Sequence, residues 1–552
     1  LLVTVDTLRP DALGWVAGRN QTPALDRLAA TGAAFSAAVS PAPVTLPSHA
    51  SMLTGLEPLR HGAVDNGRPL PAEIPVLAER LRRAGWRTAA FVSGAPLTRP
   101  FGLDRGFDLY DDRLPHRGIE RRAADTTAAA VEWLGRQTQS PVFVWVHFFD
   151  PHDPYEAEGP PGASAREAYE AEVRAVDTAL ASLLALPRLT DALVVMAADH
   201  GEGLGEHGEM THGLFVYEST IAVPLVLRWP ERIKPGRSSA PVRLVDITPT
   251  VLDLLALPAL AKADGVSLRP WLDGFGGEPP AAVSISQRGF ASYGWAPLAA
   301  VRKGRWKLIR GSRTTLHDVE SSLGEGRDVA GSERRRAGEL ATILRERRTQ
   351  AYTAAAPAPT DGEALAALAA LGYLGTGGTG LAPIDGAGLA DPRDRIEVWN
   401  QLSAGLSAAA GGEMQRALSL YDQVLATEPN NPFALSRSGW ALAELGRLDA
   451  AIQRLHQAVR LRPTDHETHR VLATVLERAG RFGDAADAWE TVVGRAPKDV
   501  DAWVQLARLA LMADRRRESL TAMEQAVALA PERSDLRSLL EAVRGEARRD
   551  GP

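Results

Sequence analysis

The sequence predicts an α/β fold with a doubly wound, mainly parallel sheet and a small antiparallel subdomain, followed by an all-α solenoid. Three observations carry this. Through residues 1–310 short apolar runs alternate with amphipathic helical stretches, the pattern of a parallel sheet with helices on both faces. From about 281 to 319 the helices give way to short strand-like runs. Near the end of the chain Pro429, Pro463, Pro497 and Pro531 recur every 34 residues, and a period of that length marks stacked helix-turn-helix units.

Taken in order, strands are expected over 1–5, 87–92, 142–149 and 192–197, and helices near 23–31, 76–84, 125–134 and 165–186. The antiparallel subdomain (280–320) includes runs at 298–302 and 306–310. Residues 1–349 form one unit on this reading. Residues 350–397, rich in Ala, Gly and Pro, read as a linker interrupted by one short helix at 363–373. Four repeats then fill 398–533, with a capping helix and tail over 534–552. Small residues at fixed places (Gly405, Gly439, Ala473, Ala507) and turn residues (Gly412, Gly446, Gly480, Asp514) keep the same phase, as do Tyr421, Leu455, Trp489 and Met523. These columns resemble the tetratricopeptide repeat. The resemblance implies a concave surface for a protein or peptide partner.

Bulk composition narrows the function. At 552 residues, 45% hydrophobic and 24% charged, the chain is long enough for several globular units. A net charge of −6, with acids interleaved among the arginines, lacks the basic excess of a nucleic-acid binder. There are no cysteines, which excludes disulfides, thiolate metal sites and cysteine nucleophiles. No run of about 18 apolar residues spans a membrane. The chain opens directly on a strand-like run, so a trimmed start is expected, with a signal peptide or an anchor on the missing segment and a periplasmic or extracytoplasmic location.

In open α/β sheets ligands bind beyond the carboxyl ends of the strands, and there the chain places its polar clusters: Asp6, His147 to Asp153, and Asp199 to Glu202. Asp6, Asp199 and His200 offer mixed oxygen and nitrogen ligands of the kind that hold Zn²⁺ or Mn²⁺, with Ca²⁺ or Mg²⁺ as further options. Between them Thr45-Leu-Pro-Ser-His49 opens a helical segment, with proline early, where its missing N–H costs nothing. Thr45 is thereby expected at a helix N-terminus whose free N–H groups attract an anion. A bound divalent cation would activate its otherwise weak hydroxyl.

The order of these pieces resembles the sulfatase-like branch of the alkaline phosphatase superfamily. It is carried by Val3-Thr-Val-Asp-Thr-Leu-Arg-Pro-Asp-Ala-Leu-Gly14, Leu46-Pro-Ser-His-Ala-Ser-Met-Leu-Thr-Gly55, His147-Phe-Phe-Asp-Pro-His-Asp-Pro-Tyr155, Asp199-His-Gly-Glu202 and Thr211-His-Gly213. The resemblance implies that Asp6, Thr45, Asp199 and His200 hold the metal, with Thr45 also the nucleophile. It implies that His152 and His212 hold the oxyanion or protonate the leaving group; His49, at the start of the same helix as Thr45, is expected to help steady the non-bridging oxygens. His147, Asp150 and His207 are lesser candidates for the surrounding shell or for a second ion.

Several departures from that family bear on the substrate. Thr45 stands where sulfatases carry the Cys or Ser that becomes formylglycine; oxidising a threonine there would give a ketone. His49 replaces the motif arginine, Asp6-Thr7 replaces paired aspartates, and Val92-Ser93-Gly94 stands where a Gly-Lys-x-His clamp is expected. The reading this favours is a phosphoester hydrolase or transferase acting on an anionic ester. A sulfatase working without formylglycine and a catalytically silent binding domain with a protein-recruiting repeat array stay open.

Overall fold

The computed structural model describes residues 1–19, 21–115, 119–138, 141–155, 163–321, 324–349, 351–352, 368 and 386–548. The helix expected over 363–373 and most of the 350–397 linker lie outside these residues. The chain folds into two units, one drawn mainly from residues 1–396 and one from 397 onward.

Eight strands make the principal sheet of the first unit: β1 (Leu2–Val5), β2 (Ala33–Val39), β3 (Arg87–Phe91), β4 (Leu109–Asp111), β5 (Val142–Phe148), β6 (Val194–Ala198), β7 (Ala222–Arg228) and β8 (Gly236–Ser238). Their order is β4-β3-β5-β1-β6-β7-β2-β8. β1 is central, parallel to β5 and β6 on either side, and all four of its residues are buried. The fold class is the one the sequence predicts. What the apolar pattern misses is the β7–β2 side, where β7 runs antiparallel to both neighbours. Pro224 hides β7, because proline cannot donate to a ladder and argues against a central strand. It is tolerated here because pairing with β6 stops at Leu225 and the register of β2 shifts between Phe35 and Ala38, opposite Pro224.

Helices that bear on the site are α1 (Pro23–Ala30), α2 (Thr45–Thr54), α3 (Leu77–Arg83), α4 (Ala123–Arg136), α5 (Ala165–Leu184) and α6 (Ile247–Leu254). α2 is unusual, with every residue from Thr45 to Thr54 buried. A second sheet, β9 (Ala282–Ser286), β10 (Leu298–Lys303), β11 (Trp306–Arg310) and β12 (Thr314–Asp318), is wholly antiparallel. It packs on α7 (Arg334–Thr349) through Leu340 and Leu344. β9 is fastened toward the site, with Ile285 N–H donating to Pro41 O (2.9 Å), Ser284 Oγ to Ser40 O (2.6 Å) and Ser286 Oγ to Gly213 O (2.7 Å).

The second unit is nine helices among the described residues: α8 (Ile396–Ala410), α9 (Met414–Thr427), α10 (Pro432–Glu444), α11 (Leu448–Leu461), α12 (His466–Arg478), α13 (Phe482–Arg495), α14 (Val500–Met512), α15 (Arg516–Leu529) and α16 (Ser534–Arg548). The 34-residue period has a physical origin in three kinds of position. Gly412, Gly446, Gly480 and Asp514 all take positive φ at the turn inside a helix pair, a conformation open to glycine and tolerated by aspartate. Asn431, Asp465 and Asp499 cap the following helix with their side chains. Gly405 and Gly439 let the partner helix close in, since a Cβ there would lie 2.5 Å from Tyr421 and 2.7 Å from Leu455. None of the described helices is long and apolar enough to cross a membrane.

Gly439→Val should therefore overpack the α10–α11 contact and destabilise the repeat unit by about 1–3 kcal/mol. Hydrogen exchange across α10 and α11 in the full chain reads this as lost protection, with the first unit unchanged.

Candidate active site

Asp6 leaves β1 with its N–H paired to Phe148 O (2.8 Å), which aims the side chain out of the carboxyl end of the sheet. The chain then turns through Thr7, a non-glycine residue at φ 54°. This turn directs Thr7 N–H to Asp199 Oδ1 (3.3 Å) and Thr7 Oγ1 to Pro151 O (2.7 Å). The residue standing in place of a second aspartate thus ties three strand-end loops together. Asp199 follows β6; its Oδ1 also accepts from His200 N–H (2.9 Å), and its carbonyl accepts from Ser48 Oγ (2.6 Å) and Ser40 Oγ.

Asp6, Asp199 and His200 converge, each with a ligand atom within 4.8 Å of the others and all buried. His200 Nε2 stands 3.5 Å from Asp6 Oδ1 and 3.5 Å from Asp199 Oδ2, while its Nδ1 bonds Gly201 O at 3.0 Å. Thr45 Oγ1 completes the group, 3.4 Å from Asp6 Oδ2. Asp6 Oδ1, Asp199 Oδ2 and His200 Nε2 are buried without a hydrogen-bond partner, which is costly for three polar atoms facing one another. Ligands at about 2.1 Å around a tetrahedral cation lie roughly 3.4 Å apart, so the spacing fits a divalent ion. Burial, and then the charge of Glu202, pushes the Asp6 carboxyl well up; burial, and then Asp6, does the same to Asp199. Burial, and then His212, pushes His200 well down. A cation would favour the ligating forms of all three.

The remaining histidines divide. His212 approaches His200 (ring centroids 4.5 Å) and His152 (4.8 Å). Its Nδ1 bonds Glu202 Oε1 at 3.0 Å, which turns Nε2 the other way. Burial, and then Arg288, pushes His212 down to about 3, and burial pushes Glu202 up to about 8. His152 stacks on Phe149 at 4.3 Å. His147 Nε2 lies 3.5 Å from Asp6 Oδ2, and its Nδ1 faces Ser93. His49 has both ring nitrogens committed, Nδ1 to Thr45 O (2.8 Å) and Nε2 to Thr4 Oγ1 (3.0 Å), and Thr4 Oγ1 accepts from Trp145 Nε1 (2.9 Å). It braces the start of α2 from beneath.

Two expected residues stand apart from the cluster. Asp150 turns to α4, where Oδ1 accepts Ala123 N–H (2.9 Å), so it serves as a helix cap. His207 sits at φ 56°, stacked on Tyr217 at 3.7 Å and 3.8 Å from Glu325; the positive-φ turn swings it away. The helix N-terminus is also less open than expected. Leu46 N–H is taken by Asn66 Oδ1 (2.8 Å), Pro47 has none, and Ser48 N–H reaches back to Val44 O (3.4 Å).

Four residues given no role from the sequence complete the site. Glu202 holds His212. Asn66 Oδ1 anchors α2 while its buried Nδ2 lacks a partner. Arg288, just after β9, is buried beside Asp65 (3.9 Å), and its charge acts on both His212 and His152. Arg9 braces the Glu202 turn, with Nη1 donating to Glu202 O at 2.9 Å. Asn66 and Arg288 lie in segments without a motif; Arg9 lies inside one, where nothing in the spacing marks its role.

Comparison with known proteins gives the relatives of this arrangement. The sulfatase family model matches residues 1–257, and a model described as N-sulphoglucosamine sulphohydrolase, C-terminal, matches 205–315. Tetratricopeptide-repeat models match 408–475 and 470–534. A choline-sulfatase of Rhizobium meliloti is 27% identical over 379 residues, spanning 52% of this chain and 73% of that protein. A Delta 4,5-hexuronate-2-O-sulfatase of Bacteroides thetaiotaomicron is 22% identical over 408 residues, spanning 60% and 84%. Among solved structures, a phosphonate monoester hydrolase from Silicibacter pomeroyi superposes with a TM-score of 0.51 at 24% identity, covering 63% of this chain and 93% of that one.

Asn66→Ala removes the acceptor for Leu46 N–H and should lower stability by about 0.5–2 kcal/mol, the usual worth of a helix-capping side chain. Denaturant unfolding of wild type and variant checks it.

Proposed function

The chain carries a sulfatase-family domain followed by tetratricopeptide repeats, and from that premise we propose a metal-assisted phosphoester hydrolase or transferase with Thr45 as its nucleophile. The observation that carries this is the buried Thr45 hydroxyl at the start of α2, 3.4 Å from Asp6 within the Asp6, Asp199 and His200 cluster. Relatives of the domain bear the names of sulfatases, but with threonine at this position and no cysteine in the chain the formylglycine route is closed. Direct attack by threonine is the chemistry left to this side chain.

Asp6, Asp199, His200 and Thr45 would hold the cation. When bound, a divalent ion supplies positive charge that lowers the pKa of an oxygen nucleophile and offsets the buried carboxylates. The chain's own groups do the rest. Asp6 Oδ2, which accepts from Thr45 Oγ1 at 3.4 Å, takes the hydroxyl proton. As Oγ1 attacks in line, the Oγ1–P bond forms and the bond from phosphorus to the leaving oxygen breaks. His212, held through Nδ1 by Glu202, delivers a proton from Nε2 to that leaving oxygen. Arg288, whose charge reaches His212 and His152, and the buried Asn66 amide would steady the non-bridging oxygens. Water or an acceptor alcohol then attacks the phospho-threonine and gives its proton to His212 Nε2, while Oγ1 leaves phosphorus and takes its own proton back from Asp6. His49 and Thr7 are positioning residues. The repeats present a binding surface for a protein or peptide, which would bring the ester hydrolase to its target.

Two outcomes test this. Aryl phosphodiester, phosphate monoester, phosphonate monoester and sulfate ester are assayed with Mn²⁺, Zn²⁺, Ca²⁺ or Mg²⁺. A phosphorus ester should turn over fastest, and Thr45→Ala should lower kcat/KM by about 10³-fold or more. Sulfate as the best substrate favours the sulfatase reading, and unchanged activity in Thr45→Ala removes the nucleophile. Separately, cation at about 100 times its Kd should raise stability by roughly 2.7 kcal/mol, read as a thermal shift in metal-stripped protein. Asp199→Ala should abolish the shift.

A further inference from the structure

Arg9 is a nearly buried guanidinium that the chemistry above does not use, and its donors join the segment after Asp6 to the Glu202–Glu206 loop. Its Nη1 donates to Glu202 O (2.9 Å) and Gly203 O (3.4 Å). Its Nη2 reaches Asp11 Oδ2 (2.9 Å) and Glu206 Oε1 (2.7 Å), and its Nε reaches Asp11 Oδ1 (2.9 Å). The backbone of Arg9 is fixed as well. Its N–H donates to Tyr169 Oη (2.8 Å), whose own proton goes to Thr7 O (2.9 Å). Arg9 is therefore rigidly joined to the turn that leaves Asp6.

The other end of the brace leads to His212 in two short steps. Gly203 N–H bonds Thr211 O (2.7 Å), immediately before His212, and also approaches Glu202 Oε1 at 3.2 Å. Glu202 Oε1 holds His212 Nδ1. Gly203 has no room to shift, since a Cβ there would lie 2.2 Å from Thr211 O and 2.3 Å from Glu209 O. A planar fork of five donors matches two carbonyls and two carboxylates at once, which a lysine cannot do.

We propose that Arg9 is a positioning residue for the leaving-group proton: it locks the Glu202–Gly203 turn against the Asp6 turn, so that His212 Nε2 faces the ester oxygen. This rests on His212 acting as the acid. The consequence is specific to substrates that need the proton. An activated leaving group departs unaided, whereas an alkoxide of high pKa does not.

The test compares an activated aryl ester with an alkyl ester of the same phosphoryl group, in the full chain with its cation. Arg9→Gln should lower kcat for the alkyl ester by about 10–100-fold, less than the roughly 10²–10⁴-fold that general acid catalysis supplies, because the acid is misaimed and not removed. It should leave the activated ester within about 3-fold and KM and cation affinity nearly unchanged. In a His212→Ala background Arg9→Gln should add little further loss, because both act on one proton transfer. Glu206→Gln, at a half-exposed partner, should show a smaller split of the same sense; with Arg9→Lys it supplies the readout if Arg9→Gln does not fold. Equal losses on both esters, or losses that add to those of His212→Ala, overturn the assignment of Arg9. A His212→Ala variant that treats both esters alike overturns the acid assignment itself, and the role of Arg9 with it.

Discussion

Two carboxylates, Asp6 and Asp199, are buried side by side at the carboxyl end of a parallel sheet, and much of the surrounding structure follows from holding them there. Like charges in a low-dielectric site repel strongly and lose their hydration. The chain meets this partly with donors. Asp199 Oδ1 collects two backbone N–H groups, and the Asp199 carbonyl collects two serine hydroxyls. What these leave is one carboxylate oxygen from each aspartate, an imidazole nitrogen and the Thr45 hydroxyl, all turned inward. A divalent cation is the simplest single partner for such a group.

The same constraint explains features that look unrelated to chemistry. Thr7 takes an uncommon backbone conformation, and in that turn its N–H reaches Asp199 and its hydroxyl reaches Pro151 O, just before His152. His49 spends both nitrogens bracing Thr45 against Thr4 and Trp145. The small antiparallel sheet belongs to the site as well, since β9 bonds to Ser40, Pro41 and Gly213 and delivers Arg288 beside His212. Loss of the second strand-end aspartate and of the motif arginine therefore leaves a braced site with different braces. This is the ground for reading the sulfatase-type domain as an ester hydrolase rather than a vestige.

What the sequence made legible were features with a local or periodic cause. The repeats are plain because glycine turns, asparagine and aspartate caps and small interface residues recur in phase. The Asp6, Thr45, Asp199 and His200 group was readable because strand ends and a helix start place it. β7 was not, because Pro224 breaks the strand signature and its tolerance depends on a register shift in another strand. Asp150 and His207 carried the right side chains, but a helix N-terminus claimed one and a positive-φ turn displaced the other. Arg9, Asn66 and Arg288 owe their places to tertiary contacts over tens to hundreds of residues, which no spacing in the sequence records.

The most direct measurement is a rapid acid quench during turnover of a phosphorus ester with a slow second step, followed by peptide mass spectrometry across residues 41–60. A phosphoryl group on Thr45, appearing at the rate of the first product burst and lost as the second product forms, is the expected result. An unmodified Thr45 throughout turnover by a cation-loaded, fully active protein, with no burst, would contradict covalent catalysis at this residue.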